Sequence, residues 1–415
     1  MKKILFLTIS YPDIRKSASI LCTHRVMEYA ATSGRYDEVH ALCCRFKGEK
    51  VCEKIKGIYV HRFNPSIWFK VQNYVANNKK IKRICEVLQK IVMIPFFPKL
   101  YPITTRRFYK ATLLLQKSNK FDIVVSAHGG LLTLLTGCRL KKTIVTLNHI
   151  ALLWDPVKGQ IATAFLPKSF TDKRIDNIER FVADNTSLQI STASMREYHL
   201  ENGDIAANHR VYLDIPGILE PTYEVPTNHL KLLREGYINI IFSGLLSANQ
   251  RDPRPIIQLL NNCIYAERIN LIFFSMGANE VLNDAKKKFK GSITIHDYIP
   301  LAELHTMYIY ADYLLNISHV NSNMVPSKIF EYMSYGKPII STFTTKGDAA
   351  QTYISRYSEG LCIDLNNPEE TNINLLDTFF SSEHKIIPFD IVKEQFIENT
   401  PESYIQVFDD FLMQK

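Results

Sequence analysis

Short, unbroken apolar runs alternate with stretches of helical periodicity along this chain, and the alternation occurs in two successive series. The first series holds KILFLTI (3–9), VHALCC (39–44), IYVHRF (58–63), FDIVVSAH (121–128), TIVTLNH (143–149), LQISTAS (188–194) and HRVYLDIPG (209–217). The second holds INIIFSG (238–244), INLIFFSMG (269–277), SITIHDYIP (292–300), DYLLNIS (312–318) and PIIST (338–342). A strand that is apolar on both faces must be covered on both faces, which is the condition of a parallel sheet with helical crossovers. The pattern therefore predicts an α/β protein built from two Rossmann-like, doubly wound units in tandem. At 415 residues the chain is too long for one ordinary core. The polar, proline-bearing stretch PGILEPTYEVPTNH (216–229) marks the join. We expect an N-terminal unit over 1–220, a second unit over 230–385, and a helical segment, 386–415, that returns to the first. Ligands of such sheets bind outside the carboxyl ends of the strands, so two units facing each other would enclose a cleft.

Composition narrows the class further. With 46% hydrophobic and 22% charged residues the chain is neither disordered nor of low complexity. The net charge of +9 is concentrated: between Lys79 and Lys120 basic residues outnumber acids eleven to one, so the remainder of the chain is close to neutral. The eight cysteines form no CxxC pair and have no histidine at metal-ligand spacing, and several sit in apolar stretches, which predicts buried thiols in a reducing compartment. The N-terminal apolar run ILFLTI stops at Tyr11-Pro12-Asp13 without a small-residue cleavage site, and reads as a first buried strand in place of a signal peptide. No apolar stretch is long enough to predict a spanning helix.

The segment Asn321 to Thr342, NSNMVPSKIFEYMSYGKPIIST, carries the most chemistry. Pro326 suits a first helical position, Ile329, Phe330 and Met333 form an apolar stripe, and Gly336 suits a left-handed C-terminal cap, which predicts a helix from about Pro326 to Tyr335. Free N–H groups at a helix start can hold a diphosphate, with Ser327 and Lys328 in the first turn. Glu331, one turn further in, can accept two ribose hydroxyls. By spacing alone, a plain surface helix with Glu331 solvated is an equally good reading.

This segment resembles the donor-binding stretch of family-four glycosyltransferases, retaining nucleotide-sugar enzymes with the GT-B architecture of two facing Rossmann-like domains. The form SKIFEYMSYGKPII is similar to members that act in bacterial surface-polysaccharide synthesis, such as capsule or O-antigen. The resemblance implies that Glu331 contacts the nucleotide ribose. It sets Asn323 at the position of the family's first glutamate, which holds donor-sugar hydroxyls near the reacting carbon; here that residue is neutral. The stretch INIIFSGLLSANQRDP resembles the opening strand and phosphate loop of the second domain: Gly244 matches, Leu245 replaces the usual arginine, and Arg251 stands where a lysine is common. Gly277, ending LIFFSMG, and Tyr298, in the base-binding turn His296 to Ile299, follow the family's order.

In the first domain, the resemblance directs His128, at the end of FDIVVSAH, toward the donor sugar or its phosphate. His149, in TIVTLNHIALLWD, is the matching candidate on a neighbouring strand, with Asp155 behind it. The N-terminal loop carries Lys16-Ser17-Ala18-Ser19 where the family frequently has a Gly-Gly turn. No metal motif of the DxD type stands in a suitable context, so neither metal nor cofactor is expected; a nucleoside-diphosphate sugar is the donor substrate. The implied reaction is front-face transfer with retention to a lipid-linked or polysaccharide acceptor. A nucleotide-sugar epimerase of the same architecture and a non-catalytic sugar-nucleotide-binding subunit stay open as alternatives, the latter because of Asn323 and Leu245.

Within 79–120, Lys79, Lys80, Lys82, Arg83, Arg106 and Arg107 are interleaved with the apolar and aromatic stretch IVMIPFFPKLYPI. That mixture suits reversible contact with an anionic lipid surface, and equally a solvated helix pair whose apolar residues are core. No nucleic-acid motif accompanies the charge. The expected location is cytoplasmic, with peripheral contact at the inner face of the membrane.

Overall fold

In a computed structural model of the chain, the described residues are 2–12, 18–74, 94–99, 101–127, 131–154, 167–203, 207–222, 224–319 and 325–414. The chain divides into two compact units, one of Met1–Pro216 with Pro401–Lys415 and one of Gly217–Thr400. The segment 386–415 thus splits at Thr400: its first part belongs to the second unit and its last helix, Pro401–Met413, to the first.

The first unit carries β1 (Lys3–Leu7), β2 (Glu38–Cys44), β3 (Cys52–Ile55), β4 (Ile58–Phe63), β5 (Ile123–Ala127), β6 (Asn148–Leu153), β7 (Leu188–Thr192) and β8 (Arg210–Leu213), in the order β3-β4-β2-β1-β5-β6-β7-β8. Every pairing is parallel except β3 with β4. The order reverses between β1 and β5. Strand β5, IVVSA, is buried at all five positions, as a strand covered on both faces requires. Tyr404, Ile405 and Phe408 of the last helix complete a core that also holds Phe6, Val26, Ile123, Ile150 and Trp154.

The second unit carries β9 (Ile238–Leu245), β10 (Ile269–Met276), β11 (Ser292–His296), β12 (Tyr313–Ile317), β13 (Ile339–Phe343) and β14 (Gly360–Asp364). They pair in the all-parallel order β11-β10-β9-β12-β13-β14. This is the doubly wound order, with its reversal between β9 and β12, where such sheets open a crevice at their carboxyl edge. Strand β10, INLIFFSM, is buried at every position but its last, and its Leu271 and Phe273 anchor the core with Ile240, Phe242 and Leu315.

Three strands depart from the sequence expectation, one of them β14 (Gly360–Asp364), a sixth strand in the second unit where five were expected. The run TIVTLNH (143–149) is not one strand. The helix Leu132–Thr143 runs through its first residue, Lys141 caps the carbonyls of Val145 and Leu147 at 2.6 and 2.8 Å, and β6 starts only at Asn148. The run that follows, IALL, supplies the buried strand, because pairing with β5 sets Asn148 opposite Ile123. Strand β3 was not expected at all; it alternates exposed and half-buried positions, as an edge strand does.

Candidate functional site

The carboxyl end of β9 is the best-furnished place in the second unit. After Leu245 the chain makes a tight turn in which Arg251 N–H donates to Ser247 O at 2.8 Å and Ser247 N–H returns to Arg251 O at 3.3 Å. The turn folds Arg251 back over the strand end. A Cβ on Gly244 would stand 3.9 Å from Arg251 Nη1, an ordinary contact distance, so the guanidinium lies directly beside the glycine. The Nε of Arg251 is buried and has no hydrogen-bond partner. Burial pushes this guanidinium down from its ordinary range, opposed by Tyr332, Tyr298 and Asp348. Among the described residues no carboxylate pairs with it. A mostly buried cation without an acceptor is destabilising by itself, and its surroundings suit an anion.

Beside it lies the helix Lys328–Ser334, two residues shorter at its start than expected, with Pro326 and Ser327 preceding it. Ser327 takes the cap position without a side-chain capping bond. Lys328 Nζ donates to Glu331 Oε1 at 2.6 Å and to Tyr308 Oη at 3.3 Å. His305 Nε2 meets the same Glu331 oxygen at 3.2 Å, while its Nδ1 meets Thr222 Oγ1 at 2.8 Å. Tyr308 and Tyr332 both bond Ser243 on β9, one residue before Gly244. A continuous polar network therefore runs from Glu331 to the strand end that carries Arg251. Glu331 is almost fully buried, so the reading of a solvated surface carboxylate does not describe it.

Asp348 and His319 complete the surroundings. Asp348 caps the helix Ala349–Ile354, accepting from Ala350 N–H at 2.8 Å, and also accepts from Ser318 Oγ at 3.2 Å. Burial pushes its carboxyl up, with Arg251 among the groups that oppose the shift. Burial and the charge of Arg251 push the His319 imidazole down. Gly277 serves the same corner differently: its φ is +86°, and a Cβ there would stand 2.3 Å from Leu246 O, so only glycine lets the β9 loop cross the end of β10.

The structure thus brings Gly244, Arg251 and Tyr298 to one place and links it to Lys328 and Glu331. Asn323 lies outside the described residues. Sequence reasoning did not find His305, Tyr308, Tyr332, Asp348 or His319. The one usable signal was the pair His305 and Tyr308, three apart on the helix Leu301–Tyr310.

In the first unit, His128 follows the end of β5 and, with Asp155, lies outside the described residues. His149 does not stand at a strand's carboxyl end. It is the second residue of β6, fully buried, with Nε2 2.7 Å from Ser126 Oγ and Nδ1 2.8 Å from Asn185 O. A Cβ on Gly137 would touch its ring at 2.2 Å. Both nitrogens are engaged and no atom is open to a ligand, so His149 is a packing residue of this unit. Burial pushes its pKa down to about 4. Arg106 and Arg107 are exposed on the helix Pro102–Asn119, and Arg107 Nη1 donates to Asn64 O and Pro65 O at 3.3 and 2.9 Å. Lys79, Lys80, Lys82 and Arg83 lie outside the described residues.

No protein-family model and no curated protein matches this chain by sequence. Its fold is similar to solved structures over the whole length. Sucrose-phosphate synthase from Thermosynechococcus elongatus superposes with a TM-score of 0.66 at 12% identity, covering 100% of both chains. The Anabaena protein HepE, in complex with UDP and glucose, gives 0.62 at 13% identity, again covering 100% of both chains. A UDP-forming alpha,alpha-trehalose-phosphate synthase from Burkholderia vietnamiensis gives 0.63 at 9% identity, with the same coverage. These likenesses establish the fold, two Rossmann-like units of the GT-B kind.

Proposed function

We propose that the protein is a retaining glycosyltransferase that moves a sugar from a nucleoside-diphosphate sugar to an acceptor hydroxyl. The observation that carries this reading is Arg251, a mostly buried cation without an acceptor at the carboxyl end of β9, beside the reversal of strand order. A diphosphate would supply the missing acceptor. Glu331, held by Lys328 and His305 at the other end of the same network, suits the ribose hydroxyls. The neighbours' complexes with UDP and glucose, and the resemblance of SKIFEYM to family-four enzymes, support the same assignment.

In the reaction the bond between the anomeric carbon and the diphosphate oxygen breaks, and its electron pair leaves with the diphosphate. The acceptor oxygen bonds to the anomeric carbon on the same face, and its proton passes to a diphosphate oxygen. Charge grows on the leaving diphosphate, so Arg251 acts most strongly in the transition state. His128 and Asn323 are assigned to the donor sugar by the resemblance alone. No metal and no further cofactor enters this reading.

The acceptor we favour is a lipid-linked or polysaccharide chain in cell-surface glycan synthesis, met at a membrane surface. The helix Pro102–Asn119 bears no acidic residue, and it exposes Ile103 and Leu114 with Arg106 and Arg107. No helix among the described residues is long and apolar enough to cross a membrane. Basic residues near an anionic leaflet contribute about 1 kcal/mol each, which suits reversible contact.

The test is slow release of nucleoside diphosphate from a panel of nucleotide sugars without acceptor. Release from one donor, abolished in Glu331→Ala and Arg251→Gln, supports the transferase. Interconversion of free nucleotide sugars would indicate an epimerase, and absence of any donor binding by calorimetry a non-catalytic protein.

A further inference from the structure

Arg45 and Asn64 leave the first unit's sheet side by side. Strands β2 and β4 are parallel neighbours that end in register at Cys44 and Phe63, and Arg45 N–H donates to Phe63 O at 2.8 Å. Just beyond this edge is a cavity of about 330 Å³ lined by Arg45, Phe46, Lys47, Gly48, Asn64 and Lys70. Its wall holds three cations and no acid. Lys70 Nζ donates to Asn64 Oδ1 at 3.4 Å, and Arg107, outside the lining, holds the Asn64 and Pro65 carbonyls in place. The nearby Glu49 is committed elsewhere: its carboxylate accepts from Phe46 N–H at 2.6 Å and faces Arg62 Nε at 3.5 Å.

Among the described residues, none of Arg45, Lys47, Lys70 or Arg107 has a carboxylate partner. In the same unit Lys3, Arg35, Lys56 and Arg62 each have a carboxylate partner, in Glu38, Asp409, Glu28 and Glu53. Three cations without a carboxylate partner lining one concavity raise the local anion concentration and supply the donors that an oxyanion needs. The volume is at the small end for ligand sites, enough for a phosphoryl or diphosphoryl group. The place is the carboxyl edge of the sheet at β2 and β4, beside β1, on one side of the reversal between β1 and β5.

We infer that this cavity binds a phosphate group, and that the phosphate belongs to the acceptor. The second clause rests on the glycosyltransferase reading; the first does not. The phosphate would be that of a soluble sugar phosphate or of a lipid carrier, and the cavity's chemistry is common to both.

The probe is inorganic pyrophosphate, titrated by calorimetry into the full chain carrying Arg251→Gln, so that the nucleotide site does not contribute. We expect salt-sensitive binding, weakened about tenfold or more by Arg45→Gln with Lys70→Gln. Because Arg45 also bonds Glu49 O, Lys47→Glu, at an exposed position, is a second variant with the same expected direction. No binding in the parent, or equal binding in parent and both variants, overturns the site. Displacement of pyrophosphate by farnesyl phosphate but not glucose 6-phosphate assigns the group to a lipid carrier, and the converse to a soluble sugar phosphate. Displacement by neither overturns the acceptor assignment. If pyrophosphate binds here while wild type binds no nucleotide sugar, the transferase reading falls and the phosphate site stands; donor binding without pyrophosphate binding gives the reverse.

Discussion

Arg251 is held in place against its own interest. Its guanidinium gives up water at the end of β9 and gains no acceptor, so it destabilises the ligand-free chain. Arg251→Met keeps much of the volume and removes the charge. We expect thermal stability to hold or rise, by about 1 kcal/mol, while affinity for a nucleoside diphosphate falls ten- to a hundredfold, roughly the loss of a charge-assisted contact. Melting curves with and without the nucleotide check both halves. His149 illustrates the opposite case. It is neutral in the fold because burial lowers its pKa to about 4, and in the unfolded chain it titrates near 6.5. Below 6.5 the unfolded chain therefore binds a proton that the folded chain refuses, and stability falls as pH drops toward 4. At pH 5 that loss is about 2 kcal/mol. In His149→Gln, urea midpoints should be lower at pH 7 but fall less between pH 7 and pH 5 than in wild type. Arg251 was legible in the sequence through its distance from Gly244. The true role of His149 was not, because a histidine's burial depends on which strand positions face Gly137 and Ser126.

At the scale of elements, apolar runs located strands well and their ends poorly. The apolar run Leu271–Phe274 marks β10 as a covered strand, and seven consecutive positions of it are buried. The run TIVTLNH was ambiguous because Thr, Ile and Val serve a helix end as readily as a strand start, and only pairing with β5 fixes where β6 begins. Strand β3 escaped notice because CEKI has no apolar run; its register, with Ile55 opposite Ile58, follows from the two-residue turn Lys56-Gly57, both at positive φ. The crossing at Gly277 makes a test at this scale. Gly277→Ala demands a left-handed alanine with its Cβ 2.3 Å from Leu246 O, and we expect about 2 kcal/mol or more of destabilisation. Chemical denaturation measures it; a loss below about 0.5 kcal/mol, the scatter of neutral substitutions, would show that the loop yields.

At the scale of the whole molecule, the chain's last helix serves the unit that holds its beginning. Tyr404, Ile405 and Phe408 are fully buried there, and Tyr404 packs on Trp154 with ring centroids 5.5 Å apart. Both tryptophans, Trp68 and Trp154, belong to that unit, so intrinsic tryptophan fluorescence follows it alone. Ending the chain after Thr400 removes three core side chains worth about 2–5 kcal/mol each. We expect the fluorescence-detected transition to move to much lower denaturant, or to vanish, while a second transition from Gly217–Thr400 remains in calorimetry.

The sequence by itself determined the fold class and the two-unit plan, because unbroken apolar runs separated by helical patterns admit few architectures. It also located the donor-like segment around Glu331, since local signals such as Pro326, the apolar stripe and Gly336 are read along the chain. What tertiary structure alone decided was which side chains meet. The linking of Glu331 to Ser243 through Lys328 and the tyrosines, the lack of an acceptor for Arg251, and the gathering of Arg45, Lys47 and Lys70 around one cavity join residues remote in sequence. Strand pairing sets these encounters, because register fixes which loop ends emerge together. Charge shows the limit most plainly: the sequence located the excess at 79–120, but only the fold shows which cations stand without a partner.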